Sequence, residues 1–173
     1  MNAGGPHTLK NGVTTNHVLG FEMVLPDGTV EWLGSRPDGG EDVPGYDLRG
    51  AAIGCEGMFG VITRVLVRLV KEPPAFKTFL GIFESVDDAS QAVSDVIADG
   101  IVPGALEMMD QLITQAVEEA YQFGFPLDAG AVLIIELDGM IDGVEEQANR
   151  VEQICKQNNA REVRIAKNDS ERA

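Results

Sequence analysis

The sequence predicts an α+β fold in two parts, and three observations support this prediction. The first part alternates β-rich runs with glycine-rich turns, and the second repeats a strand–helix–strand unit. Pro73 and Pro74 separate the two patterns, because consecutive prolines lack the backbone N–H that would continue an element. The predicted domains are therefore residues 1–72 and 73–173.

Residues 1–72 predict a small, β-rich domain. The strand-like runs His17–Leu25 and Thr29–Leu33 flank the sequence Pro-Asp-Gly at 26–28, which is typical of a hairpin turn. Ser35–Gly50 is rich in Gly, Pro and Asp and predicts an irregular loop. Val61–Leu69 alternates apolar residues with arginines, which predicts a strand with one solvent-facing side.

Residues 73–173 predict two strand–helix–strand units with a further helix between them. Ser85 is a favourable N-cap, because Asp87 and Asp88 follow it in the first helical turn. Two such units predict a ferredoxin-like sheet of the split βαβ type, covered by helices on one face. The predicted elements are strand Phe76–Phe83, helix Ser85–Ala98, strand Val102–Met109, helix Asp110–Tyr121, strand Ala131–Leu137, helix Val144–Asn158 and strand Glu162–Ile165.

The formal net charge of −15 argues against nucleic acids and anionic membranes as partners, since both need a basic surface. The acidic surplus is concentrated in residues 73–173, where the net charge is −12, compared with −3 in residues 1–72. No apolar run approaches the roughly 20 residues of a membrane-spanning helix, and the N-terminal segment has no signal-peptide pattern. We therefore expect a cytoplasmic protein.

The cysteines and histidines are few and scattered. Cys55 and Cys155 stand far apart without a CxxC motif, and His7 and His17 are the only histidines. Neither a disulfide framework nor a metal site is expected from such spacing. The two histidines are interpreted as structural residues, because no acid or nucleophile is placed beside them by the sequence.

Two glycine-rich segments are candidates for ligand binding. The first, NAGGPHTLKNG, begins at Asn2, and the second, GCEGMFG, spans Gly54–Gly60 and precedes a strand. Neither matches a dinucleotide or P-loop motif, because a strand rather than a helix follows GCEGMFG and GK[ST] is absent. The spacing alone fits either plain structural turns or loops whose backbone N–H groups contact an anionic or planar ligand.

Three longer stretches carry a resemblance to a known family. NAGGPHTLKNGVTTNHVLGFEMVLPDGTVEWLG, PGYDL and GCEGMFGVITRVLVRL resemble the second half of the flavin-binding domain of FAD-linked oxidases. This family includes the glycolate oxidase flavoprotein subunit, D-lactate dehydrogenases and D-2-hydroxyglutarate dehydrogenase. The second part resembles the start of the family's ferredoxin-like substrate (cap) domain, mainly in ALEMMD. The resemblance thus implies a partial flavin-binding subdomain at 1–72 followed by a cap domain, and a chain that is a fragment.

The resemblance implies FAD as the cofactor and assigns residues to its binding. In the first segment, the residues that would line the flavin are Asn2, Ala3, Gly4, Gly5, Gly12, Val13, Thr14 and Thr15. In the second, the residues that would approach the ribityl, pyrophosphate and adenine groups are Glu56, Gly57, Gly60, Val61 and Ile62. This sequence departs from the family pattern at Cys55, Met58 and Phe59, where Ser, Thr and Leu are common, and at Asn11, where tyrosine is common, so it lacks hydroxyls that could bond the cofactor.

The implied activity is the transfer of a hydride equivalent from the α-carbon of a small 2-hydroxy acid, such as glycolate or D-lactate, to FAD. Electrons would then pass to another acceptor, and other oxidase subunits are implied as partners. No catalytic base can be assigned from this sequence. Glu107 and Asp110 in ALEMMD either point toward a substrate cleft or, for Asp110, cap the next helix.

A second hypothesis is a non-catalytic ferredoxin-like module that binds a partner or dimerises through its sheet. In the fragment interpretation, a surface that normally packs on the absent half-domain is exposed. We therefore expect self-association of the chain.

Overall fold

The structure is a computed structural model that describes residues 2–40 and 44–166. Parts of the predicted loop Ser35–Gly50 and of the predicted domain 73–173, at 41–43 and 167–173, lie outside the described residues. The chain divides into two compact units, the first ending at Lys71 and the second beginning at Glu72. No helix in the described ranges is both long and apolar enough to cross a membrane.

The first unit is built around a three-stranded antiparallel sheet with the order β2-β1-β3. The hairpin prediction is confirmed, because β1 pairs with β2 and the turn is closed by the N–H of Gly28 donating to the Leu25 carbonyl at 2.9 Å. Val18, Phe21, Met23 and Ala52 form its small core. After a 3₁₀ turn at Gly5–His7, the elements are α1 (Thr8–Asn11), α2 (Thr14–His17), β1 (Val18–Val24), β2 (Val30–Gly34), α3 (Leu48–Ala52) and β3 (Val61–Val67).

The structure corrects several boundaries in this unit, including one-residue shifts at the end of β1 and at both ends of β2. His17 ends α2 instead of starting the first strand, and the strand predicted to reach Leu69 ends at Val67. The segment predicted as an irregular loop contains the start of α3. The reason is local capping, because the Asp47 carboxylate accepts the Gly50 N–H at 2.8 Å and so begins a helix within a glycine-rich stretch.

The second unit is a four-stranded antiparallel sheet with the order β5-β6-β4-β7. The first strands of the two strand–helix–strand units, β4 and β6, are neighbours in the centre, which confirms the ferredoxin-like prediction. The elements are β4 (Ala75–Phe83), α4 (Val86–Ala98), β5 (Ala105–Asp110), α5 (Gln111–Tyr121), β6 (Ala131–Gly139), α6 (Ile141–Gln157) and β7 (Glu162–Ile165).

The main core of the second unit lies where α4 and α6 pack on one face of this sheet. Alternating residues of the central strands point into it, since successive strand residues face opposite sides. Its fully buried members include Phe79 and Phe83 from β4 and Leu133, Ile135 and Leu137 from β6. A smaller buried cluster of Ile82, Val132 and Ala129 lies on the opposite face.

Two predicted helix starts are confirmed by their caps. The Ser85 hydroxyl accepts the backbone N–H groups of Asp87 and Asp88 at 3.1 and 3.4 Å and caps α4. The carboxylate of Asp110 accepts the Ile113 N–H at 2.9 Å and caps α5. Each cap satisfies N–H groups that have no partner inside their helix.

Candidate functional site

The candidate site is a pocket of about 590 Å³ that lies wholly within the first unit. This volume is within the range of roughly 300–1,000 Å³ that is usual for small-molecule and cofactor pockets. Strands β1 and β3 form its walls, α3 contributes one end, and the turn between α3 and β3 forms its rim. Its lining residues are Thr14, Val18, Phe21, Ala52, Ile53, Gly54, Cys55, Glu56, Gly57, Gly60, Val61, Ile62, Val65 and Val67.

The walls of the pocket are apolar because β1 and β3 pair in a register that aligns their apolar residues. Val18 lies opposite Val67, and Phe21 lies opposite Val65. The β1 side chains are buried in the core, whereas the β3 side chains are exposed at the edge of the sheet. An exposed apolar strand edge of this kind marks a surface that normally contacts a ligand or another polypeptide.

The rim is the turn of the GCEGMFG segment. Gly57 adopts φ +85°, a left-handed conformation in which a side chain would be strained. Gly60 is needed for a different reason, because a Cβ there would overlap the Val24 carbonyl oxygen. The N–H of Cys55 donates to the Ala52 carbonyl and that of Met58 to the Cys55 carbonyl, which closes the turn. The backbone of this rim therefore comes close to the pocket opening.

The Cys55 side chain interacts with backbone groups of the rim. The backbone N–H of Phe59, together with those of Gly57 and Met58, lowers the pKa of the Cys55 thiol.

The N-terminal glycine segment is tied to the pocket through α2. The Thr14 N–H and hydroxyl both donate to the Ala3 carbonyl, at 3.1 and 2.7 Å. The Thr15 N–H donates to the Asn2 side-chain oxygen at 2.9 Å. Asn2 and Ala3 thereby support the segment from which Thr14 enters the pocket lining.

The structure brings part of the predicted FAD-binding set together. Six of its members line this pocket: Thr14, Glu56, Gly57, Gly60, Val61 and Ile62. Asn2, Ala3, Gly4, Gly5, Gly12, Val13 and Thr15 are outside the lining. The cofactor-binding role of all thirteen residues stays a prediction.

Sequence reasoning missed the apolar half of the lining. Val18, Phe21, Ala52, Ile53, Val65 and Val67 were predicted only as parts of strands or of the stretch between them. A usable signal was present, because the alternation in β1 and β3 gives each strand an apolar side. What the sequence did not reveal is that these two strands pair with each other.

The electrostatics of the pocket are simple. Glu56 is the one charged residue among those lining it, and no lysine or arginine of the described chain does so. The pocket therefore suits a planar, largely apolar ring with hydroxyl groups at its mouth better than it suits a phosphate, which needs cationic or helix-terminal partners.

The remaining candidates have structural partners. The His17 ring nitrogen lies 2.7 Å from the Asn11 carbonyl oxygen. Asp110 caps α5, as the second interpretation of ALEMMD proposed, and Glu107 is exposed on β5. Across residues 2–40 and 44–166, no group of three or more His, Cys, Asp or Glu side chains is arranged to hold a metal ion.

The chain is similar to several known proteins. Residues 72–173 match the family described as FAD linked oxidases, C-terminal domain. Glycolate oxidase subunit GlcD of Escherichia coli K12 is 44% identical over 171 residues, a match that covers 99% of this chain and 34% of the relative. GlcD of Bacillus subtilis is 41% identical over 170 residues, covering 98% of this chain and 36% of that protein. The chain therefore spans about a third of the length of these relatives.

More distant similarities agree with this result. A probable mitochondrial D-lactate dehydrogenase of Danio rerio is 26% identical over 174 residues, covering 99% of this chain and 34% of the relative. A solved alkyldihydroxyacetonephosphate synthase structure has a TM-score of 0.72 at 19% identity and covers 98% of this chain and 33% of its own, which shows a shared fold alone. The chain belongs to the FAD-linked oxidases, a family of oxidoreductases whose cofactor is FAD.

Proposed function

We propose that this chain is part of an FAD-dependent oxidoreductase that oxidises a small 2-hydroxy acid of the glycolate or D-lactate type and passes the electrons to another acceptor. The relatives named glycolate oxidase subunit and D-lactate dehydrogenase support this substrate class. The observation that carries the proposal for this chain is the convergence of six predicted FAD-binding residues on one apolar pocket. In this proposal, residues 1–72 belong to the FAD-binding domain and residues 73–173 begin the substrate domain.

The residues of the pocket fit part of FAD. Val61, Val65 and Val67, the exposed valines of the lining, would pack against the faces of an isoalloxazine or adenine ring, and Glu56 would accept hydrogen bonds from ribityl or ribose hydroxyls. FAD would supply the redox chemistry by accepting a hydride equivalent from the substrate. The protein would orient the ring and exclude water from it, while the pyrophosphate, which lacks cationic partners in this pocket, would be held by other parts of the full-length enzyme.

The first test is a titration of the chain with FAD, followed by flavin fluorescence and by the emission of Trp32. We expect saturable binding. Riboflavin or adenosine should compete with FAD, whereas inorganic pyrophosphate should not, because the pocket offers ring contacts without a phosphate site. Competition by pyrophosphate alone would contradict this assignment of the pocket.

Two variants test whether FAD binds in this pocket. Ile62 lines the pocket, and Ile97 is an isoleucine of similar exposure on α4, at 39% and 38% respectively. Ile62→Asp places a charge against the ring and should weaken FAD binding about tenfold or more, since an unpaired charge at an apolar contact costs at least about 1.4 kcal/mol. Ile97→Asp should leave the affinity unchanged. Equal losses in both variants would refute the proposed site.

Other oxidase subunits are the proposed partners of the full-length protein, because two relatives are named as subunits. The cytoplasmic location stays a prediction. Turnover of glycolate and D-lactate by the full-length protein, measured with an artificial electron acceptor, would test the substrate class. If the FAD-loaded enzyme turned over neither glycolate nor D-lactate, the proposed substrate class would be wrong.

A further inference from the structure

Glu56 has an unusual backbone conformation at the rim of the pocket. Its φ of +53° lies in the left-handed region, between Gly54 at +90° and Gly57 at +85°. A residue with a Cβ has a conformational penalty there that glycine avoids. The other non-glycine residues with positive φ in residues 2–40 and 44–166, Gln122 and Asn159, lie just after the ends of α5 and α6, where this conformation is common. A strained residue beside a pocket indicates a requirement for its side chain.

The Glu56 carboxylate has no protein partner that would explain the strain. Its side chain is exposed and lines the pocket. In the parts of the chain that the structure describes, no hydrogen bond or ion pair joins this carboxylate to another residue. Other acids in turns do have such partners, since Asp47 and Glu118 accept backbone N–H groups. The Glu56 carboxylate is therefore open to a ligand in the pocket.

The charge of the lining restricts which part of FAD fits here. Glu56 is the one charged residue among the described residues that line the pocket, so a negative group is disfavoured. The pyrophosphate is anionic, and the isoalloxazine ring becomes anionic when reduced flavin loses its N1 proton. A group that gains negative charge during a reaction is usually placed beside a cation or a helix N-terminus. The adenosine part of FAD, in contrast, stays uncharged throughout the redox cycle.

The hydrogen-bonding groups of FAD favour the same part. Adenosine presents donors to its surroundings, namely the 6-amino group and the two adjacent ribose hydroxyls. A carboxylate only accepts hydrogen bonds, and its two oxygens match two adjacent hydroxyls, as in the acid–ribose contacts of dinucleotide-binding folds. The polar edge of isoalloxazine presents mainly acceptors, which a carboxylate would repel. The exposed valines Val61, Val65 and Val67 supply apolar contacts for the faces of the adenine ring.

We propose that the pocket holds the adenosine part of FAD, and that Glu56 determines this specificity by accepting hydrogen bonds from both ribose hydroxyls. The adenine ring packs against the valines of β3, and the pyrophosphate and the redox-active ring lie outside this pocket. A phosphate on the ribose 2′ oxygen would meet the Glu56 carboxylate, so the site excludes 2′-phosphorylated adenosine. The inference rests on the proposed function only in taking FAD as the cofactor, and it selects one of the two rings considered there.

The first test maps the contacts of FAD with the whole chain by saturation-transfer NMR, which detects ligand protons close to the protein. We expect stronger transfer to the adenine protons and to the ribose H1′ than to the two flavin methyl groups. Adenosine should displace FAD, and riboflavin should not. Stronger transfer to the methyl groups, or displacement by riboflavin at least as effective as by adenosine, would overturn the inference and leave the proposed function standing.

Direct binding of adenosine separates the inference from the proposed function. If adenosine does not bind the chain, the inference is wrong, whatever FAD does. If adenosine binds and FAD does not, the result counts against the proposed function alone.

A conservative variant tests the role of Glu56. Glu56→Gln keeps the size of the side chain but removes its charge, so adenosine should bind about tenfold or more weakly, because hydrogen bonds to charged groups are the stronger ones. Adenosine 2′-monophosphate should bind this variant better than the wild type, since the repulsion is removed. Glu31→Gln, which removes an exposed acid of β2 outside the lining, is the matched control and should bind both ligands as the wild type does. Unchanged adenosine affinity in Glu56→Gln, or equal changes in both variants, would refute the role of Glu56.

A glycine variant distinguishes a binding role of Glu56 from a structural one. Glycine adopts a left-handed φ without the penalty, and its greater freedom in the unfolded chain is a smaller effect. Glu56→Gly should therefore unfold at a urea concentration at least as high as that of the wild type, while its adenosine affinity falls about tenfold or more. Unfolding at clearly lower urea with unchanged adenosine affinity would show that Glu56 stabilises the rim instead, and would overturn the inference.

Discussion

At the scale of single residues, the two cysteines differ in their surroundings and should differ in reactivity. Burial, with a smaller contribution from Glu152, raises the pKa of the Cys155 thiol to about 11, whereas backbone N–H groups lower that of Cys55. Because the thiolate is the reactive form, iodoacetamide at neutral pH should alkylate Cys55 first. Peptide mass spectrometry would measure this order, and equal labelling of the folded protein would contradict it.

The Cys155 thiol also makes the stability of the folded chain depend on pH. The pKa of Cys155 is higher in the folded chain than in the unfolded one, so the folded state holds its proton between about pH 9 and 11 while the unfolded state releases it. The protonated Cys155 thiol makes its full contribution to the free energy of unfolding below pH 9, and this contribution declines as the pH rises toward 11. Urea unfolding should show a shallower decline for Cys155→Ala than for wild type or Cys55→Ala. Identical slopes would show that Cys155 does not contribute.

Gly57 offers a test of backbone conformation without a packing effect. A Cβ at Gly57 would meet no atom within 4 Å, so the left-handed φ of +85° is the main penalty for a side chain there. Gly57→Ala should lower the free energy of unfolding by about 1–2 kcal/mol. Gly143→Ala in α6 also enters open space, at an ordinary helical φ, and should stabilise by roughly 0.5–1 kcal/mol. Urea titrations of both variants would detect the opposite signs.

At the scale of secondary-structure elements, Arg49 joins the end of the pocket formed by α3 to the wall formed by β1. Its guanidinium donates from α3 to the Val18 carbonyl of β1 at 3.0 Å. Arg49→Ala should lower the free energy of unfolding by about 1.5–3 kcal/mol, the usual range for a hydrogen bond with a charged partner. It should also weaken FAD binding, because α3 would be held less firmly against β1. Arg64, an exposed arginine 3.6 Å from Glu22, is the control for loss of an arginine whose ion pair lies at the surface. Arg64→Ala should change stability by less than about 1 kcal/mol.

Sequence reasoning succeeded where local chemistry decides an element. Ser85 and Asp110 cap their helices as anticipated, and β7 has the bounds Glu162–Ile165 that were predicted. Helices α1, α2 and α3 were missed because each is a single short turn in or beside a glycine-rich stretch. At α3, the Asp47 cap competes with loop-forming residues. Short helices of this kind depend on one or two side-chain contacts, which composition does not reveal.

For the pocket too, the part formed by one continuous segment could be predicted, whereas the part formed by distant segments could not. The rim could be predicted, since Gly54–Gly60 is a continuous motif whose resemblance to the family is visible in the sequence. The wall opposite it arises from pairing between β1 and β3, which are separated by the β2 hairpin and by α3. Strand pairing across such a distance depends on tertiary packing, so Val18 and Phe21 could be predicted as strand residues but not as pocket residues.

At the scale of the whole molecule, the exposed edge strand β3 and the net charge of −15 act in opposite directions on self-association. Val61, Val65 and Val67 of β3 are exposed apolar residues on an edge that has no further strand partner within residues 2–40 and 44–166, which favours pairing with a second copy. The like charges of two copies repel each other, and salt screens this repulsion. We therefore expect self-association to increase as the salt concentration rises, in sedimentation equilibrium experiments.

Val65→Lys tests whether β3 is the associating edge, because a lysine on an edge strand opposes pairing. The variant should remain monomeric at salt concentrations that associate the wild type. Val30→Lys is the matched control, a similarly exposed valine on β2, the other edge of the same sheet. If Val30→Lys alone prevents association, the β2 edge is responsible. Val61, Val65 and Val67 also line the pocket, so we expect FAD to compete with self-association. Dissociation of the wild-type oligomer by FAD would show that the pocket wall and the associating surface are the same face of β3.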